Sequence, residues 1–198
     1  MKRTNKTMNK LIAAILMSTT CAAFADDGFY AGVGVSAVGG EFSITPASIA
    51  LTFGETSTVG SIDAGYVLPI NQKWKVGFGA TFDTNDIQGG NFLTQEFVGK
   101  DHVAIYAQPF FALSDTASFF GKIGYHTLKG EAIVTGSASI SHNFEGYGYG
   151  AGIRASLGKN LYLQTEASWM DFNPKQGSVG GDLKIKATSG TVTLGYQF

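Results

Sequence analysis

Over residues 74–84 the side chains alternate without a break. Trp74, Val76, Phe78, Ala80 and Phe82 fall on one side of an extended chain, and Lys75, Gly77, Gly79, Thr81 and Asp83 on the other. Successive side chains of a β-strand point to opposite faces, so a period of two predicts a strand with one apolar face. The pattern recurs over 29–38, 58–68, 102–113, 118–127, 144–157, 161–172 and 184–198. The face opposite the apolar one is small almost throughout: Gly32, Gly34 and Ser36 in the first stretch, Gly146, Gly148, Gly150 and Gly152 in the sixth, Thr191, Thr193 and Gly195 in the last.

The connections alternate as well. Short turns at 71–73, 114–116 and 158–160 separate longer, polar, Gly-rich links at 39–57, 85–100, 128–142 and 173–183. Phe42, Ile44, Ile49, Leu51 and Phe53 alternate in part within the first link, which predicts that the sheet continues into it. Charged residues make up 15% of the chain, against roughly 25% in soluble domains. A soluble eight-stranded barrel around a small ligand would need a solvated exterior, and the small, sparsely charged face is too bland for one. Small residues suit the inside of a narrow barrel, and the apolar face then meets lipid. Hydrocarbon leaves no water for an open sheet edge, so the sheet must close. The expectation is an all-β fold, an eight-stranded antiparallel transmembrane up-and-down β-barrel over residues 26–198. Aromatic residues mark both rims: Trp74, Tyr196 and Phe198 at the turn end, Phe82, Tyr125, Tyr147 and Trp169 at the loop end.

The N-terminus reads as an export signal. Lys2, Arg3, Lys6 and Lys10 precede the apolar run from Leu11 to Met17, and Ala23-Phe24-Ala25 offers small residues for cleavage between Ala25 and Asp26. Met8 is a second candidate start. The run is too short to span a bilayer as a helix, and Ser18 and Thr20 fit poorly the pattern for lipid attachment at Cys21. The chain has 14 Lys+Arg and 15 Asp+Glu; residues 1–25 hold four basic residues and no acidic one, which leaves ten against 15 and a formal charge of −5. The single Cys departs with the leader. Disulfide and thiolate chemistry are therefore not expected, nor is nucleic-acid binding by so acidic a chain.

Six charges fall on the small-residue face: Asp63, Lys75, Asp83, Lys122, Arg154 and Glu166. An eight-stranded barrel has an interior just wide enough for side chains to fill, and an unpaired charge there costs several kcal/mol. The set is balanced, so an ion-pair network that blocks the lumen is expected. Arg154 and Glu166 would be diagonal neighbours across one hairpin.

The signal sequence, the Gly28-Phe29-Tyr30-Ala31-Gly32 opening, the eight stretches and the Leu194-Gly195-Tyr196-Gln197-Phe198 ending resemble the superfamily of small outer-membrane barrels that includes the OmpA transmembrane domain, OmpX and the opacity proteins. The resemblance implies a place in the bacterial outer membrane, contact with its lipids including lipopolysaccharide, and delivery to the barrel assembly machinery through Tyr196 and Phe198. Members with a peptidoglycan-binding domain continue past the last strand; none follows Phe198 here, so wall anchoring is not expected. Three roles remain open: a scaffold whose loops contact host or matrix surface proteins, a narrow pore given space by the glycines of the sixth stretch, and a lipid-modifying enzyme. The last needs a nucleophile beside a base. Neither His102, His126 nor His142 begins the H-x-S pattern of the deacylases, and no cofactor or metal motif is evident. The scaffold is the preferred reading.

Overall fold

The computed structural model describes residues 27–45, 51–92, 95–134, 139–176 and 182–198. Ten strands follow one another: β1 (Gly28–Thr45), β2 (Leu51–Pro69), β3 (Trp74–Asp83), β4 (Ile87–Phe92), β5 (Gln95–Ala112), β6 (Ala117–Val134), β7 (Ile140–Ser156), β8 (Leu161–Phe172), β9 (Lys175–Gln176) and β10 (Asp182–Gln197). Each barrel strand pairs antiparallel with its neighbour in the order β1-β2-β3-β5-β6-β7-β8-β10. The cylinder closes where β10 pairs with β1, from Tyr30↔Gln197 to Thr45↔Asp182. β4 continues the wall above β3 by pairing with β5, and the two-residue β9 pairs with β10. Among the described residues no helix is long and apolar enough to cross a membrane; strands make the crossing.

The faces separate as the alternation dictates. Val33, Val35, Ile62, Phe78, Ile105, Ile123, Ile153, Val192 and Leu194 are exposed on the outside. Along β7 this apolar surface runs from Tyr147 to Leu157, which at about 3.3 Å per residue and a tilt of about 40° makes a band about 25 Å tall. Paired rings rim it. Trp74 and Phe111 lie 5.0 Å apart and Tyr196 and Phe198 5.0 Å apart at the turn end. Tyr149 and Trp169 stack at 5.7 Å at the loop end.

Strands outlast this band at the loop end, as the alternation from Phe42 to Phe53 predicts for the first link, and they replace much of the second and third expected loops: β1 continues to Thr45, β2 begins at Leu51, β4 spans Ile87–Phe92, β5 begins at Gln95, β6 continues to Val134 and β7 begins at Ile140. The inside–outside alternation carries on unbroken in β10, but its chemistry inverts. Thr191 and Thr193 face inward beside the band, whereas Ile185 and Ala187 face inward above it, with Lys186 and Thr188 now outside. β6 and β8 do the same, with Leu128, Met170 and Phe172 buried inside while Asp171 is exposed. The barrel is therefore apolar outside where it meets lipid and apolar inside where it meets water. This upper part forms a collar. An ion pair of 2.7 Å between Lys100 and Glu131 ties its wall. The hydrogen bond from Lys100 holds the Glu131 carboxyl below the usual range, so this tie is present at neutral pH and is lost as pH falls through that lowered value.

One irregularity re-aims a side chain. β5 slips register between Lys100 and Val103, and Asp101 takes a positive φ of 52°. Asp tolerates that conformation better than most residues. The bulge lies where wall becomes collar, and it turns His102 into the lumen.

Replacing Ile153, which faces outward near the middle of the band, with Arg is expected to destabilise the barrel by about 2–4 kcal/mol. Thr188→Arg, above the band, is expected to cost less than about 1 kcal/mol. Urea titrations read by the difference in gel mobility between boiled and unboiled samples check both.

Candidate functional site in the lumen

Four layers fill the cylinder from the turn end upward. The first is an open vestibule of about 650 Å³, lined by Lys75, Ser118, Arg154, Ser156 and Gln197 among others. Above it Tyr30, Val67, Phe110, Phe120 and Tyr162 form a buried aromatic layer, with Phe120 fully enclosed and Tyr30 2% exposed. Next comes a polar chamber of about 70 Å³, room for a few water molecules. The fourth layer is the apolar core of the collar, built on Val38, Val59, Phe97, Leu128, Phe144, Phe172 and Ile185.

The glycines serve the aromatic layer. A Cβ on Gly195 would collide with the Tyr162 ring, one on Gly65 or Gly79 with the Tyr30 hydroxyl, and one on Gly152 with the Phe120 ring. The Gly-rich face of β7, which from sequence offered open space, is occupied from neighbouring strands: Phe120 lies over Gly152, Glu166 and Ser168 over Gly150, and His126 over Gly148. Each large ring fits because the facing residue has no side chain. The sequence sets Tyr106 and Phe110 against an open lumen but does not gather the layer, because Tyr30, Phe120 and Tyr162 look like scattered exceptions on a small-residue face. The signal was their common parity with the glycines.

In the chamber the acidic groups take several kinds of partner. Lys122 Nζ lies 2.9 Å from Glu166 Oε2 and 4.1 Å over the Tyr106 ring. Asp63 Oδ2 accepts hydrogen bonds from the Tyr106 hydroxyl at 2.7 Å and the Thr81 hydroxyl at 2.8 Å. The Tyr106 proton is thus committed to Asp63, so Tyr30 donates to Tyr106 at 2.7 Å. His102 Nδ1 lies 2.7 Å from Asp83 Oδ2 and its Nε2 3.0 Å from His126 Nδ1. The two imidazoles stack with an interplanar angle of 12°.

Of the six charges read from the sequence, Lys122 and Glu166 are brought together as an ion pair. Asp63 and Asp83 line the same chamber. Lys75 lies lower, at the turn end, 3.1 Å from Asp27. Arg154 and Glu166 are diagonal, since Arg154 pairs with Gln164 and Gly152 with Glu166 across the hairpin, yet they do not meet. Arg154 Nε donates to Gln164 Oε1 at 2.9 Å instead, and Gln164 Nε2 reaches Glu166 at 3.4 Å. The amide stands between the charges because its residue lies directly opposite Arg154. His102 and His126, sequence candidates for catalytic bases, bond to each other, and His102 also bonds to Asp83. Tyr196 and Phe198 lie at the turn-end rim; Ala25 and Asp26 fall outside the described residues. Among the described residues no group of three or more His, Cys, Asp or Glu is gathered as a metal site.

A lipid-facing band, a closed strand cylinder and a side-chain-filled lumen define a small integral membrane β-barrel. The family model for the outer membrane protein beta-barrel domain matches residues 11–198. The chain belongs to that family, and its place is the bacterial outer membrane. No curated protein matches the sequence. Among solved structures it is similar to Ail, the attachment invasion locus protein of Yersinia pestis, in complex with the heparin analogue sucrose octasulfate: 13% identity over 86% of this chain and 99% of that one, with a TM-score of 0.55. Neisserial surface protein A is similar at 12% identity over 86% and 97%, with a TM-score of 0.57. The outer membrane protein OprG from Pseudomonas aeruginosa is similar at 13% identity over 86% and 96%, with a TM-score of 0.56. These likenesses are of fold.

Lys122→Met strands Glu166, whose side chain is 8% exposed, and is expected to cost about 3 kcal/mol. The double variant Lys122→Met, Glu166→Gln is expected to recover most of that loss. Urea midpoints of the folded barrel in detergent measure both.

Proposed function

We propose that this protein is a surface scaffold that holds its extracellular loops on a rigid pedestal for contact with host or matrix proteins, and that its lumen does not conduct. One observation carries the reading: the apolar core of the collar. It roots the loops on a packed base above the membrane, and it lies across the lumen as a dry layer. Apolar constrictions oppose ion passage by excluding water. The aromatic layer opposes it a second time, lower down, which weighs against the narrow-pore alternative.

The charge of the collar narrows the partner. Residues 39–60, 84–101, 127–145 and 170–188 carry nine acidic and five basic side chains. A sulfated polysaccharide, of the kind the Ail structure holds an analogue of, would meet a net negative rim here. A protein surface with basic or apolar character suits that rim better. Around the base of the collar, Tyr149 and Trp169 lie below Lys186 and below Lys184, which Asp171 holds at 3.4 Å; rings at this interface suit the sugars of lipopolysaccharide. Tyr196 and Phe198 would be read by the assembly machinery, and residues 1–25 would be removed on export. The reading contains no catalytic step.

In planar bilayers the purified barrel is expected to give no defined openings; stable unitary conductance would favour the pore. Replacing residues 46–50 and 135–138 with short Gly-containing turns is expected to preserve the heat-modifiable mobility and abolish binding to immobilised matrix proteins. Unchanged binding would remove the scaffold role while leaving the barrel intact.

A further inference from the structure

Of the three interior cations Lys75, Lys122 and Arg154, Arg154 alone has no carboxyl partner among the described residues. Its guanidinium sits in a box of three rings, 4.1 Å from the centroid of Tyr162, 4.6 Å from Phe110 and 4.9 Å from Tyr30. Nε is used by Gln164, while Nη2 is buried with no hydrogen-bond partner among the described residues. The Tyr162 hydroxyl is likewise buried without a partner. Stacking on aromatic faces holds a guanidinium in place but leaves its in-plane donors unused. A charge held this way inside a barrel is stabilised when an anion reaches it.

The vestibule gives an anion that access. Arg154 and Tyr162 both line it, and Lys73, Lys75 and Lys159 join them around its wall and mouth. Among the described residues two acidic side chains oppose these cations: Asp115 on the lining and Asp27, which Lys75 holds at 3.1 Å. The cup is therefore cationic in an otherwise acidic protein, and its volume of about 650 Å³ admits far more than one water.

We propose that the periplasmic vestibule is a binding site for a small oxyanion, a phosphate or carboxylate group, received by the Arg154 guanidinium. The guanidinium offers such a group a charged donor besides the one Gln164 uses, and the rings behind it fix its orientation. This site lies on the opposite side of the aromatic layer from the collar and does not depend on the scaffold reading.

The test titrates the folded full-length mature barrel, in a non-ionic detergent at constant ionic strength, with inorganic phosphate and separately with citrate, followed by calorimetry. Saturable binding of one anion per barrel is expected. Phosphate alone binding would assign a phosphate site, and citrate alone a carboxylate site. Arg154→Gln is expected to weaken binding about ten- to hundredfold, the loss of charged hydrogen bonds. Arg154→Lys, which keeps the charge but not the fork, should fall between the two. Lys129→Gln, on the collar, should bind as the parent does. The boiled-versus-unboiled mobility shift establishes that each variant is folded. Folded parent protein that shows no saturable binding, or Arg154→Gln that binds equally well, overturns the proposal.

Discussion

Backbone amides and carbonyls in hydrocarbon have no water to turn to, and every other feature of this protein follows from satisfying them. A strand at a free edge would leave a row of them unpaired. The continuous pairing of β1 with β10 removes that edge, and once the sheet is a cylinder each residue is either outside or inside. The lipid then selects the outer residues. The inner ones are left with a narrow bore that must be filled without orphaned charge.

That division explains why the wall reverses its polarity at the collar. Apart from the switch at the β5 bulge, the strands keep one inside–outside parity from rim to rim, but the solvent outside changes from hydrocarbon to water along their length. Lys186 and Thr188 belong outside for the same reason that Val192 and Leu194 do, each matching the medium it faces. With water outside, the apolar residues Ile185, Leu128 and Phe144 turn inward and pack as a soluble protein does. Filling of the lumen at the loop end by apolar side chains is thus a consequence of building a stable wall above the membrane. At the other end the lumen is filled differently, by large rings seated on glycines of the neighbouring strands, with Arg154 stacked on their lower side.

Much of this could be read without coordinates. The eight stretches, their direction of alternation, the three short turns and the identity of the lipid-facing side chains were legible because period-two patterning reports directly on which way a strand residue points. The extension of the sheet beyond the membrane was visible only faintly, in the apolar residues of the segment from Phe42 to Phe53. The inversion of polarity hid the rest, since a search for one apolar face loses the strand when that face changes sides. Within the lumen, the residues on the inner face were legible, but their partners were not. Alternation says that Arg154, Gln164 and Glu166 share a face. It does not say that Gln164 would stand opposite Arg154 and take its hydrogen bond.

Local chemistry along the chain settled the class of fold and its medium, because alternation, turn residues and scarcity of charge are properties of neighbouring residues. What required the closed cylinder were the contacts between residues far apart in the chain: Lys122 with Glu166, Tyr30 with Tyr106 and Asp63, His102 with Asp83 and His126. These depend on barrel stagger and on how rings from one strand fill the glycine gaps of another. Neither is set by any single segment, since register and lumen packing arise only when all eight strands are paired at once.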